Sequence, residues 1–491
     1  MAIPASATLT ESGYHTFMTA IRKSSAFPVN VPLTARQAAW TVLSDNRFPS
    51  ATARDELDRL VAENRLPTDY RGSALELILG VLRHRLTLSH VLGNWVAGGW
   101  RRVDRPLQPV LLLGAYQVLY QDEVPAFAAI HESVELAKSV AGTPGSRFVN
   151  ALLRRLQREI EHLRIDPAQA EAARSIPIDP ARSCQFREPV LPDPAQHPAE
   201  HLALSTSHPL ELVADWIRAF GLETARRICM VGLARPPVVL RPNRMRTEAA
   251  ALVRRLADEG FQACADPQRR AVDVPSATSL MSSTAYREGL FQPQDRTAMA
   301  VVEATDPQPG QVIVDLCAGL GTKTTQLAES MHDEGIVIAC DKEDWRLAGI
   351  RENADRLGLT SIRVVHPDQL EAMLITLDRI DWILVDAPCS NTGVLARRPE
   401  ARYRFKRASL AELQAIQVAL LEQAARLAGP NTRLAYSTCS LEPEENEQVT
   451  ALFATRQPRW KLLNACRVLP SGDAQPGCWH DGGYWALWAP T

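Results

Sequence analysis

The chain has 491 residues, which exceeds one ordinary domain and predicts two or three domains. Its 54 basic and 56 acidic residues give a formal net charge of -2, which excludes a protein that coats nucleic acid through bulk charge. No stretch approaches the ~20 apolar residues of a membrane span, the N-terminus lacks a secretory signal, and nine scattered cysteines suggest neither disulfides nor zinc. We expect a cytoplasmic protein without a metal, monomeric by default.

Residues 30–164 have the apolar spacing of helices. Thr34 is a plausible N-cap, and apolar residues then recur every three or four positions in LELILGVLRHRL, VLLLGAYQVLYQ and RFVNALLRRLQREI. Short breaks such as AGTPGS separate these segments. The pattern predicts an all-α bundle.

The next two regions differ in composition. Residues 165–205 are rich in proline, alanine and charged residues, so we expect a linker or a loosely packed connection there with little core. The helical period returns at Leu210, and VVLRPN, EAAALVRRLADEG and AVDVP follow as a strand–helix–strand pattern. This pattern predicts a small α+β subdomain over residues 206–290.

Residues 291–491 alternate between strand-like and helical segments. The strand-like segments QVIVDL, GIVIAC, SIRVVH, RIDWILVDA and TRLAYST predict βαβ units and a parallel sheet. WKLLNACRVL and GYWALWAP could pair as antiparallel strands at one edge. The predicted fold class is therefore multidomain: a helical bundle, a small α+β subdomain and an α/β domain.

The first candidate site is the turn in VDLCAGLGTKTTQ, after the first strand of the α/β domain. Gly319 and Gly321 let the backbone approach a ligand, and the helix that opens near Lys323 offers unpaired N–H groups. A phosphate-binding P-loop would need glycine at Thr322, and a dinucleotide fingerprint would need glycine at Thr324. An ordinary tight turn is the alternative.

Two aspartates follow the next two strands. Asp341 lies where a carboxylate can accept hydrogen bonds from both ribose hydroxyls of an adenosine-type cofactor, although an aspartate there is also a common helix cap. Asp368 holds the same place after the third strand. It either contacts adenine or is the N-cap of the helix LEAMLITL.

A basic run follows the fourth strand in LVDAPCSNTGVLARRPEARYRFKR, after Asp386 and Cys389. Six cations against the single Glu400 could contact RNA phosphates, and a solvated charged face is the alternative. The cations are Arg397, Arg398, Arg402, Arg404, Lys406 and Arg407.

Cys439 follows the fifth strand in AYSTCSLEPEENE and precedes an acidic helix start. A thiol at a helix N-terminus can have its pKa lowered below the free value of ~8.5. Glu444 and Glu445 suit the positive end of the helix dipole and are predicted to be structural. All these segments end successive strands, which in an open parallel sheet is the edge where ligands bind.

These motifs make a family resemblance visible. DLCAGLGTKT, DAPCSNTGV and YSTCSLEPEENE resemble the signature motifs of the Sun/Fmu family of RNA cytosine-5 methyltransferases. LGAYQVLY, AIHESVELAK and RFVNALLRR resemble a NusB-type helical RNA-binding domain. The resemblance implies a Rossmann-like domain that uses S-adenosylmethionine to methylate carbon 5 of a cytosine in RNA. The pairing of the two domains implies small-subunit ribosomal RNA, and the α+β subdomain would also bind RNA.

By this resemblance Cys439 is the nucleophile, Cys389 assists product release, and Arg397, Arg398 and Arg402 belong to the RNA-binding run. The implied contacts of the cofactor are Cys317, Ala318, Gly319, Leu320, Gly321, Thr322, Lys323, Asp341, Asp368 and Asp386.

Four positions depart from the family pattern. Leu320 and Thr322 stand where the family has proline and glycine, Pro367 precedes Asp368 where glycine is common, and Arg402 replaces a usual lysine. None of these departures removes a reactive group, but the cofactor turn could be shaped differently.

The implied chemistry explains why two cysteines and an aspartate should converge. Addition of a thiolate at carbon 6 turns cytosine into an enamine-like species that can attack a methyl sulfonium. Asp386 would hydrogen-bond the ring edge and favour protonation at N3. One alternative makes Cys389 the nucleophile, as in DNA cytosine-5 methyltransferases. Another is a non-catalytic RNA-binding or antitermination-type factor with a degenerate methyltransferase domain.

Overall fold

The predicted helical region begins at a capping box. In the computed structural model the Thr34 hydroxyl accepts a hydrogen bond from the backbone N–H of Gln37, and the Gln37 side chain accepts one from the N–H of Thr34. The structure describes residues 27–28, 31–45, 53–268, 270–275, 279–472 and 477–491. They fall into two compact units, the first ending at His197 and the second beginning at Pro198.

The first unit contains the predicted helical bundle. The fourth helix is buried on nearly every side, so it forms the centre around which the others pack. The fifth is interrupted at Gly142, whose φ of 70° lies in the left-handed region, within the predicted break AGTPGS. The helices are α1 (Ala35–Ser44), α2 (Ala53–Ala62), α3 (Thr68–Gly93), α4 (Leu107–Tyr120) and α5 (Ala126–Glu159).

The segment 165–205, predicted to be a linker, is instead largely folded. Three strands, β1 (Ile160–Ile165), β2 (Ser175–Asp179) and β3 (Arg182–Phe186), form an antiparallel sheet in the order β1–β3–β2. The side chains of Ile176 and Phe186 are fully buried. The prediction is wrong because it treated proline as incompatible with a core. Strand β2 lies at the edge of its sheet, where the missing N–H of Pro177 can be tolerated.

The second unit begins with the predicted α+β region. Three helices lead into an antiparallel sheet of four short strands in the order β5–β6–β4–β7, which buries an apolar core against the helix that follows β4. The elements are α6 (Pro198–Ser205), α7 (Leu210–Phe220), α8 (Leu222–Leu233), β4 (Val238–Pro242), α9 (Ala249–Asp258), β5 (Cys264–Ala265), β6 (Val272–Val274), α10 (Thr284–Arg287) and β7 (Phe291–Pro293).

The α/β domain contains a seven-stranded sheet in the order β10–β9–β8–β11–β12–β14–β13. The first five strands in that order are parallel, and the last two pair antiparallel at one edge, as the sequence predicts. The strands are β8 (Gln311–Asp315), β9 (Gly335–Cys340), β10 (Ile362–Val365), β11 (Trp382–Asp386), β12 (Arg433–Thr438), β13 (Trp460–Val468) and β14 (Gly483–Pro490).

Helices between the strands cover both faces of this sheet, and each face has its own apolar cluster. The chain order reverses between β8 and β11, which is the point of an open parallel sheet where loops diverge and leave a crevice. The helices are α11 (Arg296–Thr305), α12 (Thr322–Ser330), α13 (Asp344–Leu357), α14 (Pro367–Leu374), α15 (Ala401–Arg404), α16 (Leu410–Leu427) and α17 (Glu447–Arg456).

Amide hydrogen exchange of the full chain measures whether residues 165–205 are folded. We expect strong protection of β2 and β3, and we expect Phe186→Ala to abolish it because removing a buried phenylalanine costs about 3–5 kcal/mol. Phe127→Ala, the same change at a side chain 66% exposed, should leave the pattern unchanged. Rapid exchange of β2 and β3 in the wild type would restore the linker interpretation.

Candidate active site

The turn after β8 is joined to the end of β9. Gly319 and Gly321 have φ values of 58° and 78°, which explains why glycine is needed at both positions. The N–H of Gly319 donates to Oδ2 of Asp341 over 2.9 Å, and that carboxylate also accepts from the N–H of Glu343. A Cβ atom on Gly319 would meet no atom within 4 Å, so the turn is open on that side. An open glycine turn tied to a carboxylate after the next strand fits an adenosine-type cofactor.

Asp368 lies apart from this arrangement. His366, not Asp368, is the N-cap of α14, so the capping alternative for Asp368 is wrong. The Asp368 side chain is 89% exposed and pairs only with His366 among the contacts of the described chain. No described contact joins it to the glycine turn.

The departures from the family pattern do not close the turn. Leu320 is half-exposed, and its carbonyl accepts a hydrogen bond from Asn353. The carbonyl of Thr322 accepts one from the buried Arg241. Ala318 is buried, and its N–H pairs with the carbonyl of Cys340. The substituted turn is therefore held through its backbone.

One acid and one thiol behind the turn, Asp315 and Cys317, have raised pKa values. Burial raises the pKa of Asp315, at the end of β8, to about 7, while a hydrogen bond from the Thr324 hydroxyl opposes the shift. Burial also raises the pKa of the Cys317 thiol well above its usual range, and nearby carboxylates reinforce the effect. Cys317 is therefore a neutral neighbour of the cofactor turn rather than a nucleophile.

An ion pair connects the cofactor turn with the fourth strand. The Nζ atom of Lys323 lies 2.6 Å from Oδ2 of Asp386, and the Ser437 hydroxyl donates to Oδ1 of the same carboxylate over 2.6 Å. Burial alone would lower the pKa of Lys323, but the Asp386 carboxylate outweighs it and raises that pKa. Asp386 is thus fixed by a charged partner and by the neighbouring strand.

The two predicted cysteines meet. Their Sγ atoms lie 3.3 Å apart, within hydrogen-bond distance of each other, and Oδ1 of Asn391 lies 3.3 Å from the Cys439 sulfur. The hydrogen bond from Cys389 lowers the pKa of Cys439 against the effect of burial, and Arg398 and Lys323 lower it further. The same hydrogen bond and burial raise the pKa of Cys389. Cys439 is the better thiolate and Cys389 the better thiol.

The basic run does not form one RNA surface. Arg402 is fully buried and donates to the carbonyls of Ser207 and Gly232, each over 2.9 Å. The prediction that Arg402 binds RNA is therefore wrong, because no phosphate can reach its guanidinium.

Arg397 and Arg398 differ although they are adjacent. Arg397 forms ion pairs with Asp481 and Asp295 and donates to the carbonyl of Pro237, so its guanidinium stabilises the fold. Arg398 is exposed and contributes to the charge around Cys439. Of the three predicted RNA contacts, Arg398 is the one that the structure leaves accessible.

Sequence reasoning missed the residue that lies behind both cysteines. Glu445 lies in the first turn of a short helix, as predicted, but its carboxylate also accepts hydrogen bonds from Ser390, Ser440 and Gln417, which the sequence does not indicate. One sequence signal was available: each of the two cysteines is followed by a serine.

Within the described residues no group of three or more His, Cys, Asp or Glu side chains could hold a metal ion.

Comparisons with known proteins agree with this geometry. Residues 33–158 match the model of the NusB family, residues 208–280 match the ferredoxin-like domain of RsmF/B-like methyltransferases, and residues 302–474 match the 16S rRNA methyltransferase RsmB/F family. The second match covers the small α+β region up to β6, and the third contains the cofactor turn and both cysteines.

Two curated relatives and one solved structure are similar over most of the chain. The probable ribosomal RNA small subunit methyltransferase B of Bacillus subtilis is 33% identical over 82% of this chain and 84% of its own length. The ribosomal RNA small subunit methyltransferase B of Pseudomonas putida is 30% identical over 93% and 98%, respectively. The crystal structure of PH0851 aligns with 95% of this chain and 100% of its own at 20% identity, with a TM-score of 0.69, so the fold is shared.

The buried position of Arg402 predicts a stability defect rather than an RNA-binding defect. Arg402→Ala removes two charge-assisted hydrogen bonds, so we expect it to lower the free energy of unfolding by about 3 kcal/mol or more. Arg398→Ala, the same change at an exposed side chain, should alter it by less than about 0.5 kcal/mol. Thermal unfolding of the two variants makes the comparison, and a stable Arg402→Ala protein with weakened RNA binding would contradict it.

Proposed function

Since this chain belongs to the RsmB/F family of 16S rRNA methyltransferases, we propose that it methylates carbon 5 of a cytosine in small-subunit ribosomal RNA through a covalent bond to Cys439. The enzyme depends on S-adenosylmethionine, which supplies a methyl group on a sulfonium when bound. One observation supports the division of roles above all others: the 3.3 Å contact between the sulfur atoms of Cys389 and Cys439.

Cys439 forms the covalent bond because it is the cysteine that more readily loses its proton. Its thiolate adds to carbon 6 of cytosine, and the ring electrons shift so that carbon 5 becomes nucleophilic. Lys323 and Arg398 both favour the negative charge on this sulfur before the attack. The base must be unstacked for both faces to be reached, which favours a loop or an opened helix as the target.

The Lys323–Asp386 pair stabilises the charge that the addition of the Cys439 thiolate creates on the cytosine ring. We place the Asp386 carboxylate at the ring edge, where it hydrogen-bonds the protonated N3 of cytosine. The ammonium of Lys323 lies 2.6 Å from that carboxylate and balances its negative charge, while N3 takes its proton from water. Ser437 limits the rotation of the carboxylate through its hydrogen bond to Oδ1.

Cys389 acts after the methyl group has been transferred. Water takes the proton from carbon 5, the electrons of that bond restore the double bond between carbon 5 and carbon 6, and the bond between carbon 6 and the Cys439 sulfur breaks, with Cys439 leaving as a thiolate. Because Cys389 retains its proton and lies 3.3 Å away, its S–H group can stabilise the departing thiolate. This order of events makes Cys439 essential for adduct formation and Cys389 essential for release.

The remaining residues hold the cofactor and the RNA. We assign Asp341 to the ribose and the turn from Cys317 to Lys323 to the rest of the cofactor, with Asp368 as a further, more exposed contact. We assign RNA binding to Arg398, to the helical domain of residues 30–164 and to the small subdomain of residues 206–290. Because its substrate is ribosomal RNA, we place the activity in the cytoplasm.

Covalent RNA adducts test the roles of the two cysteines. Wild type, Cys389→Ala and Cys439→Ala are each incubated with ribosomal RNA and S-adenosylmethionine and separated on a denaturing gel. We expect an RNA-linked band to accumulate with Cys389→Ala, because release is slowed, and no band with Cys439→Ala. Adducts that require Cys389 instead would reverse the two roles. Neither adduct nor methyl transfer with any variant would favour a non-catalytic RNA-binding factor.

Calorimetric titration with S-adenosylmethionine tests the cofactor assignments. Asp341→Asn keeps the shape of the side chain but replaces one acceptor oxygen by a donor group, so we expect affinity to fall by about tenfold or more. Asp368→Asn is the matched change at an exposed carboxylate and should have the smaller effect. Equal affinity for the wild type and Asp341→Asn would remove Asp341 from the site.

A further inference from the structure

One buried carboxylate lies behind both cysteine loops and takes no part in the steps above. Ser390 follows Cys389 in the chain, Ser440 follows Cys439, and both serines hydrogen-bond Glu445. We propose that Glu445 is a positioning residue that fixes the two cysteine loops to each other and keeps Cys389 as the protonated partner of Cys439. The inference deepens the proposed function and rests on its roles for the two cysteines.

The contacts of Glu445 occupy both of its carboxylate oxygens. Oε1 accepts the backbone N–H of Ser390 over 2.9 Å and the side-chain amide of Gln417 over 3.0 Å. Oε2 accepts the hydroxyls of Ser390 and Ser440, the latter over 2.5 Å. An ionised carboxylate can accept four such bonds, whereas a protonated one would have to donate at one oxygen. The carboxylate therefore joins the residue after Cys389 to the residue after Cys439.

Glu445 is itself held from two sides. The hydroxyl of Tyr436, on β12, donates to its backbone carbonyl over 2.6 Å. Gln417, on α16, uses the same amide nitrogen to reach the carbonyl of Pro388 over 2.9 Å. Because Glu445 is fully buried, it cannot touch the RNA or the cofactor and can act only through the loops.

The charge of Glu445 acts on Cys389. In the described part of the chain no Lys, Arg or His side chain forms an ion pair with it, and its donors are hydroxyl, amide and N–H groups. After the hydrogen bond to Cys439 and burial, the charges of Cys439 and Glu445 further raise the pKa of Cys389. Removing the Glu445 charge should therefore make Cys389 more acidic.

The first test measures the two thiols in the free protein, without RNA or cofactor. Wild type, Glu445→Gln and Glu444→Gln are alkylated with iodoacetamide between pH 6 and pH 10, and both cysteine peptides are quantified by mass spectrometry. Loss of a like charge should lower the Cys389 pKa by about one unit, so its alkylation near pH 8 should rise about tenfold in Glu445→Gln. Glu444→Gln removes the neighbouring charge and should match the wild type. A Cys389 rate in Glu445→Gln within twofold of wild type overturns the inference.

The second test measures how firmly the loops are held. Diamide oxidises the two thiols to a disulfide while its N=N bond takes up both protons and two electrons. Ser390→Ala and Ser440→Ala each remove one donor to Glu445 with little loss of volume, so they remain informative if Glu445→Gln does not fold. We expect each to slow disulfide formation by several-fold, because bridging depends steeply on the placement of both sulfur atoms. Rates equal to wild type in both variants overturn the positioning role.

These measurements separate the inference from the proposed function. If the thiol changes occur as expected but no variant forms an RNA adduct, Glu445 still positions the pair and the covalent mechanism fails. If wild type and Cys389→Ala behave as expected towards RNA while Glu445→Gln leaves both thiol profiles unchanged, the mechanism stands and the role of Glu445 is wrong.

Discussion

The parallel pairing of β11 with β12 is the constraint on which the site depends. Asp386, the last residue of β11, lies directly opposite Ser437, near the end of β12. Because the strands run in the same direction and end at the same height, the loops that leave them start side by side. Cys389 and Cys439 follow within three residues of this pair, and their sulfur atoms come to 3.3 Å. A shift of register by one residue would separate them and turn Ser437 away from Asp386.

The neighbouring strand β8 adds the cofactor turn to the same edge. It pairs with β11 on the side away from β12, so the turn that follows it brings Lys323 to Asp386. One ion pair thus couples the predicted cofactor turn to the predicted base-binding aspartate. The hydrogen bond from Ser437 extends this connection from Asp386 to the strand that leads to Cys439.

The sequence allowed these strand ends to be predicted because hydrophobic runs, glycine turns and polar residues after strands are local signals. Contacts between distant residues leave no such signal. Arg402 looks like part of a basic run, yet its carbonyl partners lie 195 and 170 positions away, so only the fold reveals that it is buried. In the sequence Glu445 is an acidic residue at the start of a helix. Only the pairing of β11 with β12 reveals that Ser390, 55 positions earlier, hydrogen-bonds its carboxylate. The proline-rich segment looked like a linker because composition does not say that Pro177 lies in an edge strand.

The two cysteines are chemically identical, so the different roles that we propose for them must come from their surroundings. A thiolate on Cys439 lies near the positive charges of Lys323 and Arg398, whereas a thiolate on Cys389 would face the charge of Glu445. The hydrogen bond between the two sulfur atoms is the largest cause of the difference between their pKa values, and in a buried site these weakly screened charges add to it, against the opposing charge of Asp386 on Cys439. The proposed order of nucleophile and assisting thiol is therefore set by the residues around the two cysteine loops.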